Sequence, residues 1–233
     1  MRKISIAEIL VFMALLGVVV VLAVGTTKLV LGSLPLGDFR GVALAVAGLV
    51  LVYLYAFVAY RLFLSFMPLR EGEIGENSTE EFTYHVYLLF YLILFYPIMR
   101  SGAVPVPLMR LVYQALGARL GSNTYSSGII LDPPFVEVGA NVIVGQYALL
   151  VPHVIEGKRL AHYKIRIGNN VTVGAHAVVL SGVSIGDNAI VATGAVVPKG
   201  TVIGPNEVWG GVPARLLQTK SFEQALAGTH DLA

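Results

Sequence analysis

The sequence has 233 residues, of which 56% are hydrophobic and only 13% are charged. Because soluble domains are about one quarter charged, this composition predicts that part of the chain lies in lipid. The net charge of +2 is too small to indicate nucleic-acid binding, and the absence of cysteine excludes disulfides, a thiol nucleophile and cysteine-ligated metal sites.

The chain begins with two long apolar stretches. Residues 4–24 carry a single charge, Glu8, and residues 41–60 carry none. A helix of about 20 apolar residues crosses a hydrocarbon core of roughly 30 Å, so residues 1–66 are predicted to form two transmembrane helices. Basic residues flank the outer ends of the pair more than the connection between them, which favours cytoplasmic ends. They are Arg2, Lys3, Arg61 and Arg70.

Residues 67–119 are predicted to form a helical collar at the membrane surface. The apolar run over residues 86–99 is only 14 residues long. That length suits a buried, re-entrant or interfacial helix better than a third span, and the sequence leaves both possibilities open. Ser78 and Glu81 have the spacing of a capping box at the start of this helix. A second, short amphipathic helix leads to residue 120.

From about residue 120 to residue 217 an apolar residue returns at every sixth position, often followed by glycine or alanine. The regular part of this series is Ile167, Val173, Val179, Ile185, Val191, Val197 and Ile203. A helix repeats near 3.6 residues and a strand near 2, so neither explains a period of six. The period is typical of a parallel β-helix, in which three hexads close one coil. Upstream, the series fades at Ser126 and Asp132.

The repeats over residues 165–200 and the closing stretch VWGGVPARLL, residues 208–217, resemble the hexapeptide-repeat acyltransferases. These enzymes are related to maltose, galactoside and xenobiotic acetyltransferases. The resemblance implies a left-handed parallel β-helix over residues 120–217. Together with the transmembrane and interfacial α-helices predicted before it, this gives a mainly β fold class. It also implies a homotrimer with active sites between neighbouring β-helices. Residues 218–233 are predicted to form a C-terminal tail.

An interruption of the hexad pattern marks the candidate active site. The 11 residues 156–166 are polar and off period, and His153 stands just before them. Acyl transfer to a hydroxyl or amine needs a base, and imidazole serves at neutral pH. The resemblance places the catalytic histidine at this point, so His153 is the predicted general base and His162 its competitor. Glu156, the nearest carboxylate in sequence, is the candidate orienting partner, although a neighbouring coil or subunit could supply another.

The resemblance further implies a site for the acyl donor, which is acetyl-CoA or, less often, another acyl-CoA. In the family the pantetheine arm lies along stacked coils, against small residues at the corners. The positions that match the family's donor contacts are Ala175, Ala192 or Thr193, Lys199 and Arg215. The two cations are candidate partners for the CoA phosphates. Pro198 stands where the family often has threonine, which removes one hydroxyl contact. No metal is expected.

These features predict an integral membrane enzyme whose catalytic domain faces the cytoplasm. It would transfer an acyl group to a hydroxyl or amine of a membrane-associated acceptor, such as a lipid-linked sugar. The basic cluster in the interruption would face anionic lipid or remain a solvated loop. This cluster contains Lys158, Arg159, Lys164 and Arg166.

Two other functions fit the sequence. A non-catalytic trimeric β-helix tethered to the membrane would act as a scaffold and would not need His153. A γ-type carbonic anhydrase would use the same fold with three zinc-ligating histidines. The candidates for that set are His153, His162 and His176.

Overall fold

A computed structural model describes residues 2–35, 37–102 and 104–219 of the chain. The chain forms two compact units. One is helical and contains the residues up to Leu69 together with Gly75–Ile98, and the other contains Arg70–Ile74 and the chain from Met99 onward. The segment predicted as a collar, residues 67–119, is therefore divided between the two units. Most of the predicted C-terminal tail lies outside the described residues.

The helical unit is built on two long helices and a third, interrupted one. The long helices are α1 (Ile6–Leu31) and α2 (Arg40–Phe66), joined through a 3₁₀-helix over Gly37–Phe39. The third begins as α3 (Thr79–Phe90), passes through a π-helical turn at Tyr91–Phe95 and continues as α4 (Tyr96–Ser101). By length and composition alone, Ile6–Leu31, Gly37–Phe66 and Thr79–Ser101 could each cross a membrane.

Polar contacts align α3 with the start of α1. Only half of the predicted capping box forms: the Glu81 N–H donates to Ser78 Oγ over 3.1 Å at the start of α3, but the Glu81 carboxylate accepts from the Asn77 N–H. Glu8, the charge inside the first apolar stretch, is buried and lies 2.9 Å from His85 Nδ1. A buried carboxylate with such a partner avoids most of the desolvation cost of an isolated charge. One turn further along, Phe12 packs edge-on against Phe90, with ring centroids 5.1 Å apart.

The second unit is a parallel β-helix with three faces. The first face contains β2 (Arg119–Leu120), β5 (Val136–Val138), β10 (Ile165–Ile167), β13 (Ser184–Ile185) and β16 (Val202–Ile203). The second contains β3 (Tyr125–Ser126), β6 (Ile143–Val144), β11 (Thr172–Val173), β14 (Ile190–Val191) and β17 (Glu207–Gly210), with β18 (Arg215–Thr219) antiparallel to β17. The third contains β4 (Ile129–Ile130), β7 (Leu149–Val151), β12 (Val178–Leu180) and β15 (Val196–Val197).

The strand register confirms three hexads per coil. Ile167 pairs with Ile185 and Ile185 with Ile203, so these coils are 18 residues apart. The side chains at this position are buried in every coil, and they form the continuous apolar column that the period of six predicts. Coils approach closely at the corners: a Cβ on Gly174 would lie 2.5 Å from the backbone nitrogen of Thr193. Glycine is therefore needed there for contact rather than for flexibility.

The first coil departs from the regular register. Ser126 keeps the column position, because it is buried and pairs with Val144. Ile130, however, pairs with Leu150, the position that the period of six assigns to Asp132. The corner after β4 holds the extra residues in a 3₁₀-helix over Pro133–Phe135, and Asp132 is its N-cap. The fading of the pattern at Asp132 is thus a real change of backbone path.

One corner of the β-helix carries a ladder of asparagines. Each has a positive φ of 51–63°, a conformation that asparagine tolerates better than most residues. Each side-chain amide donates to the next amide oxygen over 3.0–3.2 Å. The members are Asn123, Asn141, Asn170, Asn188 and Asn206. The ladder ties all coils together along this edge.

Helix α5 (Val106–Leu116) packs against the first coil. The buried Tyr113 hydroxyl donates to the Gly128 carbonyl over 3.1 Å and accepts the Ile130 N–H over 3.2 Å. Burial raises the pKa of Tyr113 to about 12, although the backbone hydrogen bond from Ile130 opposes the shift. Tyr113 thereby satisfies the Ile130 N–H, and it shares the Gly128 carbonyl with Ser126 Oγ, which donates over 3.0 Å.

The predicted interruption is a β-hairpin rather than an irregular loop. Strands β8 (His153–Glu156) and β9 (Arg159–His162) pair antiparallel. Strand β1 (Gly72–Glu73) joins the outer edge of β9, so the hairpin is part of a three-stranded sheet in the order β1-β9-β8. The interruption therefore starts at His153, three residues before the start at residue 156 that the change in composition indicates.

Candidate active site

The β-helix and the hairpin bring His153 against Asp132. His153 Nδ1 lies 2.5 Å from Asp132 Oδ2. Because an ionised carboxylate can only accept, the imidazole Nδ1–H is the donor. The Asp132 side chain is 5% exposed and that of His153 is 28% exposed, so the carboxylate is enclosed while the imidazole remains accessible.

Local backbone geometry explains why aspartate occupies its position. Asp132 has φ 43° and ψ 64°, a left-handed conformation that aspartate adopts more readily than most residues. From the N-cap of the short 3₁₀-helix, its carboxylate meets the first residue of β8. The pair is therefore held between a corner of the first coil and the base of the hairpin.

The electrostatics of the pair favour a charged imidazole more than usual. Burial by itself would lower the pKa of His153, but the hydrogen bond and the negative charge of Asp132 together raise it above its ordinary value. A histidine held in this way presents Nε2 as a base when neutral, and the carboxylate stabilises the imidazolium that forms after proton transfer.

His162, the competing base, has a different environment. It pairs directly with His153 across the hairpin and is completely buried. Its ring stacks on Phe135, with centroids 4.4 Å apart and planes 10° apart. Burial lowers the pKa of His162, so this imidazole stays neutral at physiological pH. An enclosed side chain has no access to a substrate, which favours His153 as the reactive histidine.

The structure corrects the candidate orienting residue. Glu156 stands at the far end of β8 from His153 and forms ion pairs with Lys199 and with Arg159, the latter at 3.6 Å. Asp132 occupies the place beside His153 Nδ1 that Glu156 was expected to take. The physical reason is the direction of the strand: His153 and Glu156 are three residues apart on an extended chain, too far for one to bond the other.

A carboxylate in the apolar column is the signal by which sequence analysis could have found Asp132. The hexad phase assigns position 132 to the inward series, where valine and isoleucine otherwise stand. A charged residue is almost never fully buried unless it is paired. An acidic residue in that series therefore predicts a buried partner, and a histidine at a corner of the next coil is the nearest candidate.

Two of the predicted donor contacts lie together at one corner. Ala175 and Thr193 follow β11 and β14 on successive coils, and the Ala175 carbonyl accepts the Gly194 N–H over 2.9 Å. Their side chains are small, and Thr193 is exposed. An extended ligand could approach the backbone there. Ala192 is half-buried, and its N–H donates to the Trp209 carbonyl over 2.7 Å, so Thr193 is the more accessible of the two alternatives.

The predicted cations lie elsewhere on the β-helix. Lys199 follows β15 and is engaged with Glu156. Arg215 is exposed at the start of β18. The structure thus does not gather all the predicted donor contacts into one place, and a ligand would have to exchange with Glu156 to reach Lys199.

The basic cluster of the hairpin is largely neutralised by carboxylates. Three of its cations form ion pairs with glutamates of the same unit. The pairs are Arg159 with Glu73 at 2.8 Å, Lys164 with Glu137 at 2.8 Å, and Arg166 with Glu71 at 3.5 Å. Lys164 and the neighbouring arginines lower the pKa of Glu137, as expected for a carboxylate among cations. The cluster therefore presents less positive charge than its sequence indicates.

The histidines of the zinc hypothesis are not brought together. His153 and His162 face each other across the hairpin, whereas His176 stacks on Tyr147 at another corner, with ring centroids 5.0 Å apart. Among residues 2–35, 37–102 and 104–219, no three histidine, cysteine, aspartate or glutamate side chains form a group that could hold a metal ion. The geometry gives the carbonic anhydrase hypothesis no support.

Comparison with known proteins gives one family match. Residues 164–199 match the model described as the hexapeptide repeat of succinyl-transferase. No curated protein matches the chain.

Solved structures of acetyltransferases match part of the chain. A hexapeptide-repeat acetyltransferase from Vibrio cholerae is 25% identical, with a TM-score of 0.42, over 45% of this chain and 64% of its own. A galactoside acetyltransferase in complex with coenzyme A is 30% identical, with a TM-score of 0.40, over 46% of this chain and 57% of its own. A maltose O-acetyltransferase from Clostridium difficile is 26% identical, with a TM-score of 0.42, over 46% of this chain and 61% of its own. The chain thus spans less than two thirds of each of these proteins.

Proposed function

We propose that this hexapeptide-repeat protein is a CoA-dependent acyltransferase whose general base is His153. The observation that carries the proposal is the His153–Asp132 pair, with Nδ1 and Oδ2 2.5 Å apart, where the hairpin leaves the β-helix. Support comes from the repeat model that matches residues 164–199 and from the resemblance of the repeats and the closing stretch to hexapeptide-repeat acyltransferases. By the same resemblance we infer that the coil is left-handed.

The proposed reaction needs no protein nucleophile. Neutral His153 takes the proton of an acceptor hydroxyl or amine at Nε2, while Asp132 holds the Nδ1 proton. The acceptor oxygen or nitrogen then forms a bond to the thioester carbonyl carbon, and a backbone N–H at a coil corner stabilises the oxyanion. When the carbon–sulfur bond breaks, the proton returns from His153 to the leaving thiolate. The products are the acylated acceptor and free CoA.

Acetyl-CoA is the donor that we propose. Its pantetheine arm would lie along the corner that carries Ala175 and Thr193, where small side chains leave the backbone accessible. Lys199 and Arg215 would meet the phosphates, with Lys199 released from Glu156. A homotrimer is expected by the same resemblance, and native mass spectrometry should find three chains of 24.9 kDa together.

The proposed acceptor is associated with a membrane, for example a lipid-linked sugar. The apolar helices α1 and α2 support this, because a soluble sugar would need no anchor and both helices are long enough to span a bilayer. Their flanking basic residues favour a cytoplasmic β-helix.

The test follows the release of free CoA. The protein is purified in detergent and mixed with acetyl-CoA and a membrane lipid extract, and a thiol reagent reports CoA with no background from a chain that lacks cysteine. We expect lipid-dependent release by the wild type and its loss in His153→Ala. The acylated lipid should then appear as a mass shift.

His230→Ala is the matched control, because it removes a histidine to which the proposal assigns no role. It should leave CoA release unchanged. Full release by His153→Ala would overturn the assignment of the base and direct attention to His162. Absence of acetyl-CoA binding by calorimetry would overturn the enzyme proposal and favour a scaffold.

A further inference from the structure

Strand β1 lies far from the hairpin in sequence, since it connects α2 to α3. Gly72 pairs with His162 and Glu73 with Ala161, and the Ile74 N–H donates to the Leu160 carbonyl over 2.9 Å. β9 is thereby the central strand of the sheet, with β1 on one side and β8, which carries His153, on the other.

The register places three residues in one row across this sheet. Gly72 lies opposite His162, and His162 lies opposite His153. A two-stranded hairpin on its own is marginally stable in water, and a third strand is what gives such a sheet independent stability. The base of this hairpin is held by the β-helix, while β1 is the third strand that supports β9, the partner of the strand that carries His153.

Charged contacts hold β1 in this register at both of its ends. Before the strand, the Glu71 carboxylate accepts the Lys164 N–H over 3.0 Å and pairs with Arg166 at 3.5 Å. Within it, the Glu73 carboxylate accepts from Arg159 Nε over 2.8 Å. Single exposed ion pairs contribute little, but contacts on both sides of a short strand oppose a shift in register.

We propose that residues 71–74 are a positioning strand for the catalytic base, an inference that rests on the proposed role of His153. The strand fixes β9, β9 fixes β8, and β8 holds His153 against Asp132. The titratable groups that face His153 are Asp132 from the first coil and His162 from β9. Neither of them belongs to β1. Residues 71–74 therefore act through the hairpin.

Gly72→Ala is the main test variant. Gly72 has φ +119°, which alanine rarely adopts, while a Cβ there would meet no atom within 4 Å. The change therefore strains the strand without a steric collision. Gly37→Ala is the matched control, because Gly37 also has a positive φ and open space but lies in the connection between α1 and α2.

In the full-length protein, we expect Gly72→Ala to lower kcat about tenfold or more, since small misplacements of catalytic groups have effects of this size. The KM for acetyl-CoA should stay within about twofold, because β1 does not contact the proposed donor corner. The acidic limb of the pH–rate profile, where the base becomes protonated, should shift to lower pH as the bond to Asp132 loosens. Gly37→Ala should match the wild type in all three.

A second readout is independent of catalysis. NMR titration of ¹³Cε1-labelled histidine, with the His153 signal assigned by its loss in His153→Ala, should show the same downward shift in Gly72→Ala. An unshifted titration and an unchanged kcat in folded Gly72→Ala would overturn the positioning role. Normal activity of His153→Ala would instead overturn the proposed function, and the titration would still test the strand.

Glu73→Ala and Glu73→Gln cover the case in which Gly72→Ala fails to fold. Glutamine keeps an oxygen that can accept from Arg159, whereas alanine removes it. We expect Glu73→Ala to lower kcat and shift the His153 titration, and Glu73→Gln to restore both. Equal behaviour of the two variants in both readouts would overturn the role of this contact.

Discussion

At the scale of single residues, the arrangement of Asp132 and His153 decides what chemistry is available. The carboxylate is enclosed and the imidazole is partly exposed, so the pair has a fixed side and an accessible side. An enclosed acceptor on Nδ1 selects the tautomer in which Nε2 is the base. The enclosed carboxylate on Nδ1 and the accessible imidazole distinguish His153 from a histidine that only occupies a coil corner.

Asp132→Asn should lower kcat by about 10²–10⁴-fold, the range expected when an orienting carboxylate is neutralised. Burial lowers the pKa of His153 and Asp132 more than offsets this, so the variant should also move the acidic limb of the pH–rate profile to lower pH. The measurement is kcat as a function of pH. If the acidic limb of the Asp132→Asn profile coincided with that of the wild type, Asp132 would not set the basicity of His153.

The same pair makes stability depend on pH. A histidine whose folded pKa is raised contributes stability that is fully present below its unfolded pKa of about 6.5, and this stability is lost as pH rises through the folded pKa. The difference in melting temperature between the wild type and Asp132→Asn should therefore be larger near pH 5.5 than near pH 8.5. Thermal unfolding in detergent at the two pH values checks this, and a gap that grows with pH would contradict it.

At the scale of elements, the corners of the β-helix determine how the coils stack as much as the strands do. The period of six sets the strands, but the asparagine ladder and the close contact at Gly174 set how coils stack. Each ladder asparagine combines a positive φ, which most residues avoid, with a hydrogen bond to the next coil. The hairpin is added at another corner without breaking this stack, since the strands before and after it still pair.

The ladder gives a graded stability prediction. Asn170 donates to Asn188 and accepts from Asn141, whereas Asn206 at the end accepts from Asn188 only. Asn170→Gly keeps the backbone conformation and should cost about 1–2 kcal/mol, and Asn206→Gly about half of that. Asn170→Ala should cost more than Asn170→Gly, because alanine also pays for the positive φ. Equal losses at both positions, measured by thermal or denaturant unfolding, would contradict a cooperative ladder.

At the scale of the whole molecule, the order of segments bears on membrane topology. Arg70–Ile74 and the chain from Met99 onward belong to one compact unit, and Gly75–Ile98 belongs to the other. The segment Gly75–Ile98 thus leaves the β-helix unit and returns to it. If that unit lies outside the bilayer, the segment crosses an even number of times. A single helix over Thr79–Ser101 then enters the membrane or lies on it without crossing, despite its length.

Single cysteines test this topology, because the natural chain has none. Ser33→Cys, Glu76→Cys and Ser101→Cys are at exposed positions between α1 and α2, before α3 and at the end of α4. In oriented vesicles, a membrane-impermeant thiol reagent should label positions 76 and 101 from the same side and position 33 from the other. Labelling of 76 and 101 from opposite sides would show that the third helix crosses.

The sequence by itself determined the parts of this protein that repeat or that obey a simple length rule. The period of six predicts the coils because every strand position recurs, and the lengths of the apolar stretches predict α1 and α2. The break in the period and the resemblance together indicated His153, and its role as the base stays a prediction. Only the tertiary structure decided its partners. Asp132 reaches His153 through a two-residue change of register, and β1 reaches the hairpin from about 90 residues away in the chain. Such contacts depend on how distant segments pair, and local patterns do not record that pairing.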